Sequence, residues 1–117
     1  MIDHLKFMGI PVADQDRALA FYTEKLGFAA TFGPQRRIEL EIPGSKTRIA
    51  LFTPEGQEGR IGTFVNASFA CRDVEATYQH YVERGVEFVK PPTAESWGTS
   101  AILKDSEGNL ILIASEA

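Results

Sequence analysis

The chain has 117 residues, 44% of them hydrophobic, enough for one cooperatively folded domain that needs no staples. Its 16 acidic and 12 basic residues give a formal charge of −4 with no run of Lys and Arg, which argues against nucleic acid or an anionic membrane as a partner. Cys71 has no second cysteine to pair with, no window approaches the roughly 18 apolar residues of a spanning helix, and Met1 is followed by Asp3, His4 and Lys6 instead of an apolar leader, so a soluble, cytoplasmic protein is expected.

The first element is Phe7-Met8-Gly9-Ile10-Pro11-Val12, a short apolar run that suits a strand ended by a proline bend. Asp14 then reads as a helix N-cap, because its carboxylate can accept the orphan N–H groups of a first turn. Leu19, Tyr22 and Leu26, flanked by Ala18 and Phe21, share one helical face, and Gly27 stops the helix by tolerating the left-handed conformation. Three strands follow at Phe28 to Phe32, Arg37 to Ile42 and Arg48 to Phe52, the last pair joined by the turn Pro43-Gly44-Ser45-Lys46. If that hairpin turns at Gly44-Ser45, Glu41 lies opposite Arg48 and Glu39 opposite Ala50.

After the linker Pro54 to Gly62 the same order returns. Val65, Ala67, Phe69 and Cys71 alternate as a strand, Asp73 caps a helix faced by Val74, Tyr78, Tyr81 and Val82, and Gly85 closes it. Val86 to Val89 is the next strand, Pro91-Pro92 opens a loop carrying Trp97, and Thr99 to Leu103 pairs with Leu110 to Ala114 across Asp105 to Asn109. Phe7 aligns with Asn66, Val12 with Cys71, Asp14 with Asp73 and Tyr22 with Tyr81, each pair 59 residues apart. The expected architecture is therefore α+β: a single domain over 1–117 built from two βαβββ modules, about 3–54 and 63–115. Neither module buries its helix face and sheet alone, so the two are expected to form one eight-stranded curved mixed sheet, an open cup with the helices outside. The concave face would be a ready-made pocket.

Two stretches carry a family resemblance. Val12-Ala13-Asp14 leads into Ala20-Phe21-Tyr22 and Leu26-Gly27-Phe28, and Trp97-Gly98 is followed by Asp105-Ser106-Glu107-Gly108-Asn109. In order and spacing the chain resembles the vicinal oxygen chelate superfamily, which includes glyoxalase I, bleomycin-resistance proteins, fosfomycin-resistance enzymes and extradiol dioxygenases. Ser106 stands where that family's hairpin usually has proline. The resemblance implies a metal site whose ligand positions, carried over one by one, fall on Phe7, Ala50, Asn66 and Leu112. None is a ligand for a catalytic divalent ion, which takes imidazole or carboxylate groups.

No metal and no other cofactor is therefore expected, and no catalytic residue is assigned. Strand parity puts His4 on the face away from Phe7, and His80 reads as a surface histidine on the second helix. Glu39, beside the vacated position at Ala50, is the candidate for a displaced site. If Phe7, Ala50, Asn66 and Leu112 face the pocket as the resemblance implies, strand alternation brings Arg48, Phe52, Ser68, Ser100 and Ile102 onto its wall with them, with Leu5 and Gly9 alongside and Arg37, Glu39 and Glu41 towards the rim. Trp97 could cover the mouth and stack a planar ligand or simply anchor its loop. Glu39 and Arg48 are the possible polar anchors. Arg48 suits a carboxylate or phosphate in bidentate geometry, although a cross-strand pair with Glu41 is the plainer use. The expected function is glyoxalase/bleomycin-resistance-like, metal-independent binding of a small organic molecule, in a homodimer as the resemblance implies. The alternatives are a divalent-metal-dependent lyase or dioxygenase-type enzyme with a displaced site at Glu39, and a metal-free lyase or isomerase using Glu39 or Arg48.

Overall fold

A computed structural model describes residues 1–33 and 37–116. The chain divides into two compact units, Met1–Ile61 and Gly62–Ala117. The first holds β1 (Phe7–Pro11), α1 (Gln15–Ala20), β2 (Ala29–Phe32), β3 (Ile38–Glu41) and β4 (Arg48–Phe52). The second holds β5 (Phe64–Cys71), α2 (Val74–Glu83), β6 (Glu87–Glu95), β7 (Gly98–Lys104) and β8 (Leu110–Ser115). Each is a βαβββ unit, and the strands are hydrogen-bonded as two mixed sheets of four, in the orders β1-β4-β3-β2 and β5-β8-β7-β6. The parallel pairs are β1 with β4 and β5 with β8. Among the described residues no helix is long and apolar enough to cross a membrane.

Both helices start as their sequences dictate. The Asp14 carboxylate accepts the Arg17 N–H at 3.0 Å, and that of Asp73 accepts the Ala76 N–H at 3.0 Å. Beyond Ala20 the first helix widens into a π turn over Phe21–Lys25, with the Leu26 N–H reaching the Phe21 carbonyl at 3.3 Å. The wider turn seats Phe21 edge-on to the fully buried Tyr22, whose ring also lies 5.9 Å from that of Phe28. Gly27 then leaves the helix at φ +81°.

The register explains why each sheet has two different faces. In the first unit Met8 pairs with Ile49 and Ile10 with Leu51, and Ile10, Leu40, Ile49 and Leu51 are at most 1% exposed. Each such side chain contributes roughly 1.5–3 kcal/mol by leaving water. The Gln15 amide ties the helix to this sheet by donating to the Leu51 carbonyl at 3.0 Å. In the second unit Val74, Val86, Ala101, Leu103, Ile111 and Ile113 form the core, and Tyr78 of α2 meets Phe88 edge-to-face at 4.7 Å.

The β7–β8 hairpin is held by a buried polar knot. The Asp105 carboxylate accepts from the N–H groups of Glu107 and Asn109, both at 2.8 Å, and from the Asn109 amide at 3.0 Å. Asn109 in turn accepts the Gly62 N–H at 2.7 Å, and Gly108 takes φ +84°, as the left-handed position of this loop requires. One strand departs from expectation. β6 does not stop at Val89 but continues through Pro91-Pro92 to Glu95, with two register shifts against β7. It can do so because it is the edge strand and both prolines fall in the register shift between Lys90 and Thr93, where neither is paired with β7. Trp97 consequently sits in the two-residue turn between β6 and β7 instead of on a long loop, with 49% of its surface exposed.

Candidate functional site

The hairpin register is the one the turn implies: Glu39 pairs with Ala50 and Glu41 with Arg48. On β1, Phe7 pairs with Arg48 and Gly9 with Ala50, so Phe7, Gly9, Glu39, Glu41, Arg48 and Ala50 share the face opposite the one holding Ile49 and Leu51. Phe52 belongs to the same face, and a Cβ built on Gly9 would lie 2.8 Å from its ring. Glycine is what lets that ring lie down across β1. A guanidinium rests over each aromatic here, Arg37 at 4.9 Å from the centre of Phe7 and Arg60 at 5.9 Å from that of Phe52.

Glu39 is not at a rim, contrary to the sequence reading. It lies mid-sheet and is 7% exposed, because β2 and β4 flank β3 on both sides. Its Oε2 accepts from Arg37 Nε at 2.9 Å and Nη2 at 2.5 Å, and its Oε1 lies 3.5 Å from Arg48 Nη1. The hydrogen bond from Arg37 holds the Glu39 carboxyl below its ordinary value, against the opposing pull of burial and with help from the charges of Arg37 and Arg48. Gly33 makes room for this pair, since a Cβ there would come within 2.5 Å of Glu39 Oε2. Arg48 spans the ladder, meeting Glu41 at 2.8 Å through Nη2 and the Thr31 hydroxyl at 3.2 Å through Nη1.

A cleft of about 910 Å³ opens over these residues, with Arg37, Glu39 and Arg48 on its wall beside Leu5, Lys6 and Lys46. Two of its cations, Lys6 and Lys46, escaped the sequence reading, because neither lies in a strand and parity could not place them. His4 is also on this wall, where strand parity had turned it away. The chain is not yet a strand at His4, since β1 begins at Phe7, so the two-residue period does not apply. His80 is exposed on α2 with its ring 5.8 Å from that of Tyr81.

In the second unit Ser68 pairs with Leu112 and Leu112 with Ile102, while Ser100 pairs with Ala114 two residues along β8. Ser68 and Asn66 are exposed, Ile102 and Leu112 half-buried, and Ser100 is 2% exposed. The β5–β8 ladder shifts register between Phe64 and Ser68, yet exposure still alternates through Asn66, which keeps Asn66 in phase with Ser68. The Ser100 hydroxyl accepts from Lys90 Nζ at 2.9 Å, and the same ammonium meets Glu95 at 3.0 Å. Lys90 was missed because the strand was expected to end before it. Burial pushes the half-buried Cys71 thiol up in pKa, opposed by a hydrogen bond with Thr77, which is the reverse of what an activated nucleophile needs.

The metal implied by the family resemblance does not fit the residues present. Phe7, Ala50 and Leu112 offer no donor atom, Asn66 offers only a neutral amide, and Glu39 is engaged by guanidinium groups. Among the described residues no three His, Cys, Asp or Glu side chains gather as ligands.

Known proteins agree with this fold. Residues 1–113 match the family model of the Glyoxalase/Bleomycin resistance protein/Dioxygenase superfamily. The uncharacterized protein YetH of Bacillus subtilis (strain 168) is 31% identical, the match covering 97% of this chain and 98% of YetH. A superfamily member from Sphaerobacter thermophilus DSM 20745 superposes with a TM-score of 0.88 at 32% identity, over 98% of each chain. TnmS3, an antibiotic binding protein from Streptomyces sp. CB03234, superposes with a TM-score of 0.86 at 28% identity, over 99% of this chain and 98% of its own. With nearly its whole length inside the family model, the chain belongs to the glyoxalase/bleomycin resistance protein/dioxygenase superfamily.

Proposed function

We propose that this chain is a metal-independent binding protein for a small organic molecule, acting in the cytoplasm as a homodimer. The observation that carries the reading is the replacement of the family's ligand set by Phe7, Ala50, Asn66 and Leu112, with the neighbouring carboxylate of Glu39 held by Arg37. Apolar wall with a few polar anchors is the usual make-up of a small-molecule site. On the first unit Phe7 and Phe52 supply apolar surface and Arg48 a polar anchor on the same sheet face. Support comes also from the similarity to TnmS3, an antibiotic binding protein.

The test is elemental analysis of protein produced in medium supplemented with zinc, manganese, iron and nickel. The expected result is no stoichiometric transition metal, and one ion per chain overturns the reading. A second reading, a metal-dependent lyase or dioxygenase-type enzyme with a displaced site, is favoured only by the register that sets Glu39 beside Ala50. Two guanidinium groups close to that carboxylate weigh against it, since a cation would have to displace them. It expects Glu39→Ala to abolish metal binding. The homodimer is tested by sedimentation, where a monomer at micromolar concentration refutes it.

A further inference from the structure

The cleft on the first unit has a charge opposite to that of the chain. The protein carries 16 acidic against 12 basic residues, yet among the described residues its cleft is lined by four cationic side chains, Lys6, Arg37, Lys46 and Arg48, and by one acidic residue, Glu39. Glu39 is matched by Arg37 and Glu41 by Arg48, which leaves the two lysines in excess. Lys6 and Lys46 are exposed and have no ion-pair partner among the described residues. Arg48 keeps Nη2 on Glu41, but its Nη1 has only long contacts, 3.2 Å to the Thr31 hydroxyl and 3.5 Å to Glu39, with 45% of the side chain exposed. Like charges placed side by side repel, and an anion between them relieves that repulsion while it draws the ligand in.

Resting on the binding reading above, the geometry points to this cleft as a receptor for an organic anion. A carboxylate or phosphate oxygen set is held by Lys6, Lys46 and the loosely engaged end of Arg48, and the ligand's apolar body lies along Leu5. Arg48 supplies the planar fork that orients the oxyanion, and the two lysines act as mobile point charges. Glu39 fixes Arg37 and so keeps one cation of the wall out of the ligand's reach.

The experiment titrates the full chain with anilinonaphthalene sulfonate and with phenyl-naphthylamine, which has the same rings and no charge. The sulfonate is expected to bind about tenfold tighter at low salt, with the preference shrinking as salt is added. Lys6→Gln combined with Lys46→Gln is expected to weaken the sulfonate about tenfold, at roughly threefold per exposed charge, and to leave the neutral probe unchanged. Benzoate or phenyl phosphate is expected to displace the sulfonate, and the stronger competitor tells a carboxylate ligand from a phosphate ester. The anion site is overturned if the double variant binds the sulfonate as the parent does, or if neither competitor displaces it. Equal binding of the two probes overturns the anion site alone, whereas binding of neither overturns the small-molecule reading as well.

Discussion

On the first unit's sheet, the face opposite Ile49 and Leu51 carries Arg48, Glu39 and Glu41 joined by ion pairs of 2.8–3.5 Å, with two aromatic rings beneath guanidinium groups. The second unit, with the same strand order and the same aspartate helix cap, presents Ser68, Ser100, Ile102 and Leu112, with Lys90 anchored on Ser100 and Glu95 and Lys104 on Glu87. One backbone plan therefore supports two chemistries. The comparison teaches that caps, closing glycines and strand pairing are set by backbone needs that both units share, while the alternate positions of the strands are left open for function.

The largest expected effect tests how differently the two units close their last hairpins. Asn109→Ala strips a buried partner from both Asp105 and the Gly62 N–H, and should cost about 2–3 kcal/mol in urea unfolding. The first unit's hairpin relies on the exposed turn at Gly44-Ser45, so Ser45→Ala should move stability by less than about 0.5 kcal/mol. A large loss from Ser45→Ala would erase the contrast.

Next comes the pair Gly9 and Ser68, which occupy corresponding places 59 residues apart. Gly9→Ala drives a methyl group into the Phe52 ring and should cost about 1–3 kcal/mol by thermal or urea unfolding. Ser68→Ala, on an exposed position, should stay within about 0.5 kcal/mol.

The smallest effect is confined to acid. Folding lowers the Glu39 pKa from its ordinary 4.5, so the carboxylate stabilises the protein above that range and the contribution disappears as pH falls through the folded-state value. Glu39→Gln should therefore flatten the acid limb of the stability curve measured by urea titration at a series of pH values. An unchanged acid limb would show that the Arg37–Glu39 pair contributes nothing measurable.

Much of the fold was legible. Asp14 and Asp73 announce helix starts because a short carboxylate meets an otherwise unsatisfied turn, and Gly27, Gly85 and Gly108 mark places that require positive φ. The Glu39–Ala50 register followed from turn length alone. The run of β6 through Pro91-Pro92 was not legible, since it depends on which strand ends up at the edge, a tertiary fact. Nor was the π turn, whose period over Phe21–Lys25 is too short to separate from an ordinary helix. In the site, period-two reasoning placed Phe7, Arg48 and Ala50 on one face but failed for His4, Lys6 and Lys46, which lie in segments with no period. The guanidinium clamp on Glu39 was missed because Arg37 precedes β3 and reaches two residues forward.

The prolines of β6 have a consequence beyond their own strand. An uncovered sheet edge offers a row of donors and acceptors on which an extended chain from another molecule can lay itself down, and repetition of that event makes fibres. Pro91 and Pro92 remove two backbone donors near the middle of β6, one from each side of the strand, and the register shifts around them interrupt the regular ladder. The longest strand among the described residues is thereby made a poor seed for aggregation.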